Sequence, residues 1–167
     1  MFTFAENYKG LKYARLTKEQ LDELRQEFIN FLAIQKITAE EWESIKKEKP
    51  NVAEEELDLF SDLVWEGVLT QVNYLEHFST NQLFLFKVSA LTMSLIGIKI
   101  DRDDIDITTA TGYNWLQQNL MDDRVNLYSS EKVIKEEERN SDIFALIQQG
   151  ANITKGELYE YMEEKLP

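Results

Sequence analysis

From Thr17 onward, apolar side chains recur at three- and four-residue steps. Leu21, Leu24, Phe28, Phe31 and Leu32 form one stripe with charged residues opposite, the period of an amphipathic helix. Thr17 and Gln20 stand at capping-box spacing in front of it, so the pattern predicts a helix over 17–35. A second box, Thr38 and Glu41, opens a short helix with Trp42 and Ile45 inward, and Pro50 stops it. Asn51 is expected to cap a third helix that buries Leu57, Phe60, Leu63, Val64 and Val68. Gly67 inside it costs about 1 kcal/mol relative to alanine, which points to a tight helix contact there.

At about Val72 the period changes from 3.6 to 2. "VNYLEHFS", "QLFLFKVS" and "TMSLIGIKI" are rich in aromatic and β-branched residues. Turn-forming Ser79-Thr80-Asn81 and Ser89-Ala90 separate them, so they read as an antiparallel three-stranded meander. "DRDDID", residues 101–106, is expected to end the sheet region. The signal then weakens: a helix from about Tyr113, and a fourth strand in "RVNLYSS". Helical spacing returns over 131–149, ended by Gly150, and a third box at Thr154 and Glu157 opens a last helix with Leu158, Tyr159, Met162 and Leu166 inward. The expectation is an α+β fold: an N-terminal three-helix layer, a three- to four-stranded antiparallel meander, then C-terminal helices. It is read as one domain over 1–167, with 1–10 a poorly ordered N-terminal extension.

Composition narrows the function. A chain of 167 residues is long enough to bury about 70% of its unfolded surface in one core. It carries 18 basic and 31 acidic residues, net −13, so phosphate backbones are repelled and no nucleic-acid partner is expected. There is no cysteine, which removes thiolate chemistry, zinc ribbons and disulfides and makes a reducing cytoplasm the expected location. "MFTFAENYKG" has no basic n-region or apolar h-region, and the longest purely apolar block is "LFLF", far short of a span. No membrane partner is expected.

Candidate chemistry is sparse. The only histidine, His77, follows Glu76 in a predicted strand, where successive side chains point to opposite faces. The pair therefore cannot cooperate on one substrate, and no Gly-x-Ser-x-Gly nucleophile exists to complete a triad. "DRDDID" fails a calcium loop: counted from Asp101, position 5 is Ile105, position 6 is Asp106 and position 12 is Gly112. Glu54-Glu55-Glu56, Glu136-Glu137-Glu138 and Glu157/Glu160/Glu164 read as solvated helix faces. A di-metal bundle needs two Glu-x-x-His motifs, and one histidine cannot supply them. Trp42, Trp65, Trp115, Phe84 and Phe86 fit a core or an interface, with Lys87 the only cation interleaved. No catalytic, cofactor-binding or metal-ligating residue is assigned, and no cofactor.

The segments "KYARLTKEQLDELRQEFINFLA", "ITAEEWESIKKEKP", "LFSDLVWEGVL", "YLEH" and "EKVIKEEERNSDIFALIQQGANITKGELYEYMEEKL" resemble a small family of soluble bacterial proteins classed only as a domain of unknown function. The resemblance starts near "KYARL", which implies that 1–10 is an upstream extension with Leu11 where an initiator would stand. The family pattern has arginine after "YLEH", where this chain has Phe78. No activity comes with the resemblance.

The expected function is therefore binding of another protein, or of a second copy of the chain, without chemistry. A metal-dependent hydrolase-like enzyme using carboxylates is the alternative. The strands supply the motive: Phe84, Phe86 and Val88 face one way and Leu83 and Leu85 the other, while Ile96, Ile98 and Ile100 oppose Met93 and Leu95. Both sheet faces want cover. The helices over 131–149 and 155–166 are the expected cover; a face they leave open would be an interaction surface.

Overall fold

The computed structural model of the protein describes residues 8–166. The chain divides into two compact units, one up to Val68 and one from Leu69.

The first unit is helical: α1 (Lys18–Glu23), α2 (Arg25–Ile34), α3 (Ala39–Glu48) and most of α4 (Pro50–Thr70). Of the three predicted capping boxes the two in this unit form, with the Thr17 and Thr38 hydroxyls each accepting from the amide three residues on at 3.2 Å. The helix expected over 17–35 is in two pieces, because Leu24 takes ψ 23° instead of the helical value near −42°. Leu21, Leu24 and Phe28, which flank that bend, all pack on the unit's core of Leu16, Phe31, Leu32, Ile37, Ile45, Ala53 and Phe60. Asn51 does not cap α4. Pro50 is its first residue, where a missing amide costs nothing, and the Lys49 carbonyl accepts from Val52 and Ala53. Gly67 is exposed with open space around it, so no tight contact explains it.

The buried stripe of α4 differs from the expected one because it contains polar residues. Ala53, Glu56, Phe60, Ser61 and Asp62 are buried, whereas Leu63 and Val68 are exposed. The segment entering α1 runs along α4 and consumes these polar groups. Asp62 accepts from the Lys12 and Tyr13 amides at 2.8 and 2.9 Å and from the Tyr8 hydroxyl. Ser61 accepts from the Leu16 amide, and Arg15 reaches Asp58 at 2.6 Å and Glu54 at 2.9 Å. Tyr8 lies in the stretch expected as an extension; residues 1–7 lie outside the described residues.

The second unit holds five antiparallel strands in the order β4-β3-β2-β1-β5: β1 (Tyr74–Phe78), β2 (Gln82–Val88), β3 (Thr92–Ile100), β4 (Val125–Val133) and β5 (Asn152–Thr154). The three-stranded meander is as expected, and the fourth strand is longer than expected. It takes residues 131–133 from the helix predicted to begin there, because they continue the ladder on β3. After a 3-10 turn at Glu136–Glu138, α6 spans Arg139–Gln148. Consequently "DRDDID" does not end the sheet: it turns the chain into α5 (Ala110–Gln118), after which β4 returns to β3. Thr154 does not cap the last helix, α7 (Glu157–Lys165), either. It sits in β5, which periodicity missed because a three-residue strand has no period, and the left-handed Gly156 is the N-cap.

The pairing register decides which residues share a face. Leu83 faces Ile98 and Leu85 faces Ile96, so these four lie together with Ile100. Leu116 of α5, Tyr159 and Met162 of α7, and Ile107 close over them. The other face carries Leu75, Val88 and Met93, all buried, with Phe84, Phe86 and Leu95 half-buried. Leu83, Leu85 and Met93 are thus all buried within the one chain, and neither face is an open apolar sheet. Arg139, at the start of α6, fixes the connections by donating to the carbonyls of Leu69, Val72 and Ser89. Among the described residues no helix is long and apolar enough to cross a membrane.

Two backbone positions test this packing. Lys36 is left-handed (φ 60°), closing α2 in a Schellman turn in which Lys36 donates to the Ala33 carbonyl and Ile37 to that of Leu32. Lys36→Gly is expected to stabilise by about 0.5–1 kcal/mol in denaturant unfolding, since glycine enters this region without the Cβ penalty. Gly112, in the first turn of α5, has the opposite sign. An added Cβ would stand 1.8 Å from the Asp106 carbonyl oxygen, a backbone atom that cannot swing away. Gly112→Ala is expected to cost roughly 3 kcal/mol in the same measurement.

Candidate functional site

The first unit presents an apolar groove between α2 and α3. On α2, Arg25, Phe28, Ile29 and Leu32 follow the i, i+3, i+4, i+7 spacing; on α3, Ala39, Trp42, Glu43 and Lys46 do the same. The two stripes face each other across a cavity of about 440 Å³, and Ile37 closes one end through the Schellman turn. Buried Leu32 and Ile37 make the floor, and the Phe28 and Trp42 rings meet edge to face at 5.3 Å between centroids. Ile29 forms the lip and is 50% exposed. Arg25, Glu43 and Lys46 stand at the rim, with Lys46 paired to Glu43 at 2.6 Å. Among the described residues no ion-pair partner meets Arg25.

A second cavity, also about 440 Å³, lies in the C-terminal unit on the sheet face that α5 and α7 cover. Glu76 and Phe78 of β1, Tyr113 of α5, and Thr154, Lys155, Glu157 and Leu158 around the start of α7 line it. The register places Glu76 opposite Leu85 and His77 opposite Phe84, so the two neighbours do point to opposite faces. Burial pushes the Glu76 carboxyl above its ordinary value of 4.5. Burial likewise raises the Tyr113 phenol, with the Glu76 charge adding to it. Such a site can receive a hydrogen-bond donor, but its second carboxyl, Glu157, is exposed, and no histidine, cysteine or serine stands among its lining residues. His77 is remote from it, its ring 6.5 Å from that of Phe84 and close to Gly150.

The remaining sequence candidates are engaged structurally. Asp106 accepts from the Thr108 amide at 2.9 Å, its carbonyl accepts from the Thr109 hydroxyl, and Thr109 in turn caps α5. Arg102 pairs with Asp104, and Asn126 donates to Asp101. Of the glutamate triplet at 54–56, Glu54 meets Arg15, and Glu56 is 0% exposed and accepts from Gln35 at 2.7 Å, so that triplet is not a solvated face. Arg102 and Arg124 stack over Trp115 at 5.0 and 5.8 Å, a grouping that no local spacing signals. Among the described residues no three His, Asp or Glu side chains come together as a metal site requires.

Residues 11–167 match the model of a family of unknown function, DUF6495. The chain belongs to this family. No curated protein and no solved structure matches it. Membership therefore adds no activity to the groove or the cavity.

The raised carboxyl yields a stability test. A folded-state value above the unfolded one costs stability wherever the unfolded chain ionises and the folded one resists. That cost is absent below about 4.5 and fully present above the folded value. Glu76→Gln is therefore expected to raise the melting temperature at pH 7, with the gain shrinking to nothing as pH falls through 4.5. A gain that is independent of pH would assign it to hydrogen bonding and not to ionisation.

Proposed function

We propose that this protein acts in the cytoplasm by binding another protein, without chemistry of its own, and that the partner lays an apolar segment into the groove between α2 and α3. The observation that supports this is the pair of facing stripes, apolar at the floor and lip and charged only at the rim. Helix-in-groove recognition uses such anchors at i, i+3, i+4 and i+7 spacing. The rim also argues for the partner's charge. In a chain of net −13, Arg25 and Lys46 put two cations against one carboxylate beside the groove, which favours an apolar segment with acidic flanks. The absence of cysteine from the sequence supports a reducing compartment. The metal-dependent hydrolase alternative has less behind it. Glu76 supplies a perturbed carboxyl in a cavity that Glu157 also lines, but among the described residues no third ligand joins them as a divalent ion would need.

A photo-crosslinking residue at position 29 tests the reading in cells of the native host. The expected result is a discrete adduct with one partner at position 29 that the double reversal Arg25→Glu, Lys46→Glu reduces severalfold. The control is position 121, where Met121 is 90% exposed and is not among the residues lining the groove between α2 and α3. Adducts at 29 no stronger or more discrete than those at 121 would remove the proposal.

A further inference from the structure

The sheet has two edges, and they are guarded very differently. β5 is three residues long, too short to template another chain. β4 is nine residues long and runs in unbroken register with β3 from Val125 to Val133, with no proline, glycine or bulge. Bonds at its two ends show which of its amides are free. Asp101 donates to the Arg124 carbonyl and Ile134 to the Leu91 carbonyl, both at 2.8 Å. Hydrogen-bonded pairs alternate along an antiparallel ladder, so even-numbered β4 residues direct their backbone groups to β3. The odd-numbered ones, Leu127, Ser129, Glu131 and Val133, direct theirs outward. Among the described residues no hydrogen bond reaches those outward groups. Residues 128–133 are all exposed; Val133 is 85% exposed and Tyr128 45%. This is a long, regular, unpaired edge with apolar side chains on it.

We infer that β4 is the interface through which two copies of this chain pair, antiparallel and edge to edge, about a two-fold axis through Ser130. A two-fold pairing keeps each face with its like, so only certain registers are open. An axis through Glu131 sets that carboxylate against its own copy. An axis through Ser129 sets Glu131 against Leu127. The axis through Ser130 places Leu127 opposite Val133 of the second copy, and Ser129 opposite its Glu131. On the other face Tyr128 meets Lys132 of the second copy, an aromatic–cation pair. Apolar then meets apolar, no like charges oppose, and the outward amides fall into hydrogen-bonded pairs. The two charges that would guard the edge of a lone chain are adjacent and opposite in sign, so they do not repel a copy. The interface lies in the C-terminal unit and is independent of the helical groove.

The absence of cysteine gives a direct test on the full chain. Ser130→Cys puts a thiol on the axis, opposite its own copy in a pair without hydrogen bonds, where cross-strand Cβ atoms approach to about 5 Å. Mild oxidation should link it into a covalent dimer in high yield, while Lys132→Cys, opposite Tyr128, should link far less. For the unmodified chain, sedimentation equilibrium should show a dimer. Val133→Lys, at a fully solvated position, should raise its dissociation constant at least roughly tenfold, or about 1.4 kcal/mol. Ser129→Pro should do the same, because its amide points outward and proline is tolerated on an edge. A strict monomer at every concentration would overturn the inference, as would a dimer that neither variant weakens. Equal linking by Ser130→Cys and Lys132→Cys would overturn the axis.

Discussion

The register of β3 is the constraint on which the C-terminal unit depends. It is held from both sides, against β2 through Leu83–Ile98 and Leu85–Ile96 and against β4 over nine consecutive pairs. With both neighbours fixed, a slip by one residue would turn Ile96, Ile98 and Ile100 out of the cluster that α5 and α7 close. The same register sets Gly97 opposite Tyr128, whose ring occupies the space a Cβ would need. It also determines which β4 amides look outward. Core, glycine and edge follow from one alignment.

Around that alignment, side chains satisfy backbone groups where the chain changes direction. Arg139 spends its guanidinium on three carbonyls instead of a carboxylate, and Asp62 spends its carboxylate on two amides and a phenol instead of a cation. Asp106 and Thr109 do the same for the turn into α5. Buried backbone groups must find partners, and an irregular segment has no ladder to provide them. Asp106, one of the carboxylates in the calcium-like stretch, is used up in this way.

What is left over is the ground for the recognition proposed above. The groove of the first unit has apolar anchors and charge only at its rim, while the cavity beside Glu76 joins one perturbed carboxyl to a single exposed one, Glu157. A reaction needs groups converging on one atom; a docked segment needs only shape, apolar area and a permissive rim. The groove meets the second requirement more fully than the cavity meets the first.

The sequence by itself determined whatever depends on neighbours along the chain. Two of the three capping boxes, the change of period at Val72, the three central strands and the opposite facing of Glu76 and His77 follow from spacing and are present. Tertiary structure decided what depends on residues far apart. It extended β4 over residues 131–133 because β3 offered a ladder, and it paired Asn152–Thr154 with β1 although three residues carry no period. It buried Glu56, Ser61 and Asp62 because distant partners met them, against the preference that polarity alone expresses. It brought Arg102 and Arg124 onto Trp115 and the stripes of α2 and α3 face to face. Periodicity reports which side of an element is apolar, and only packing selects what that side meets.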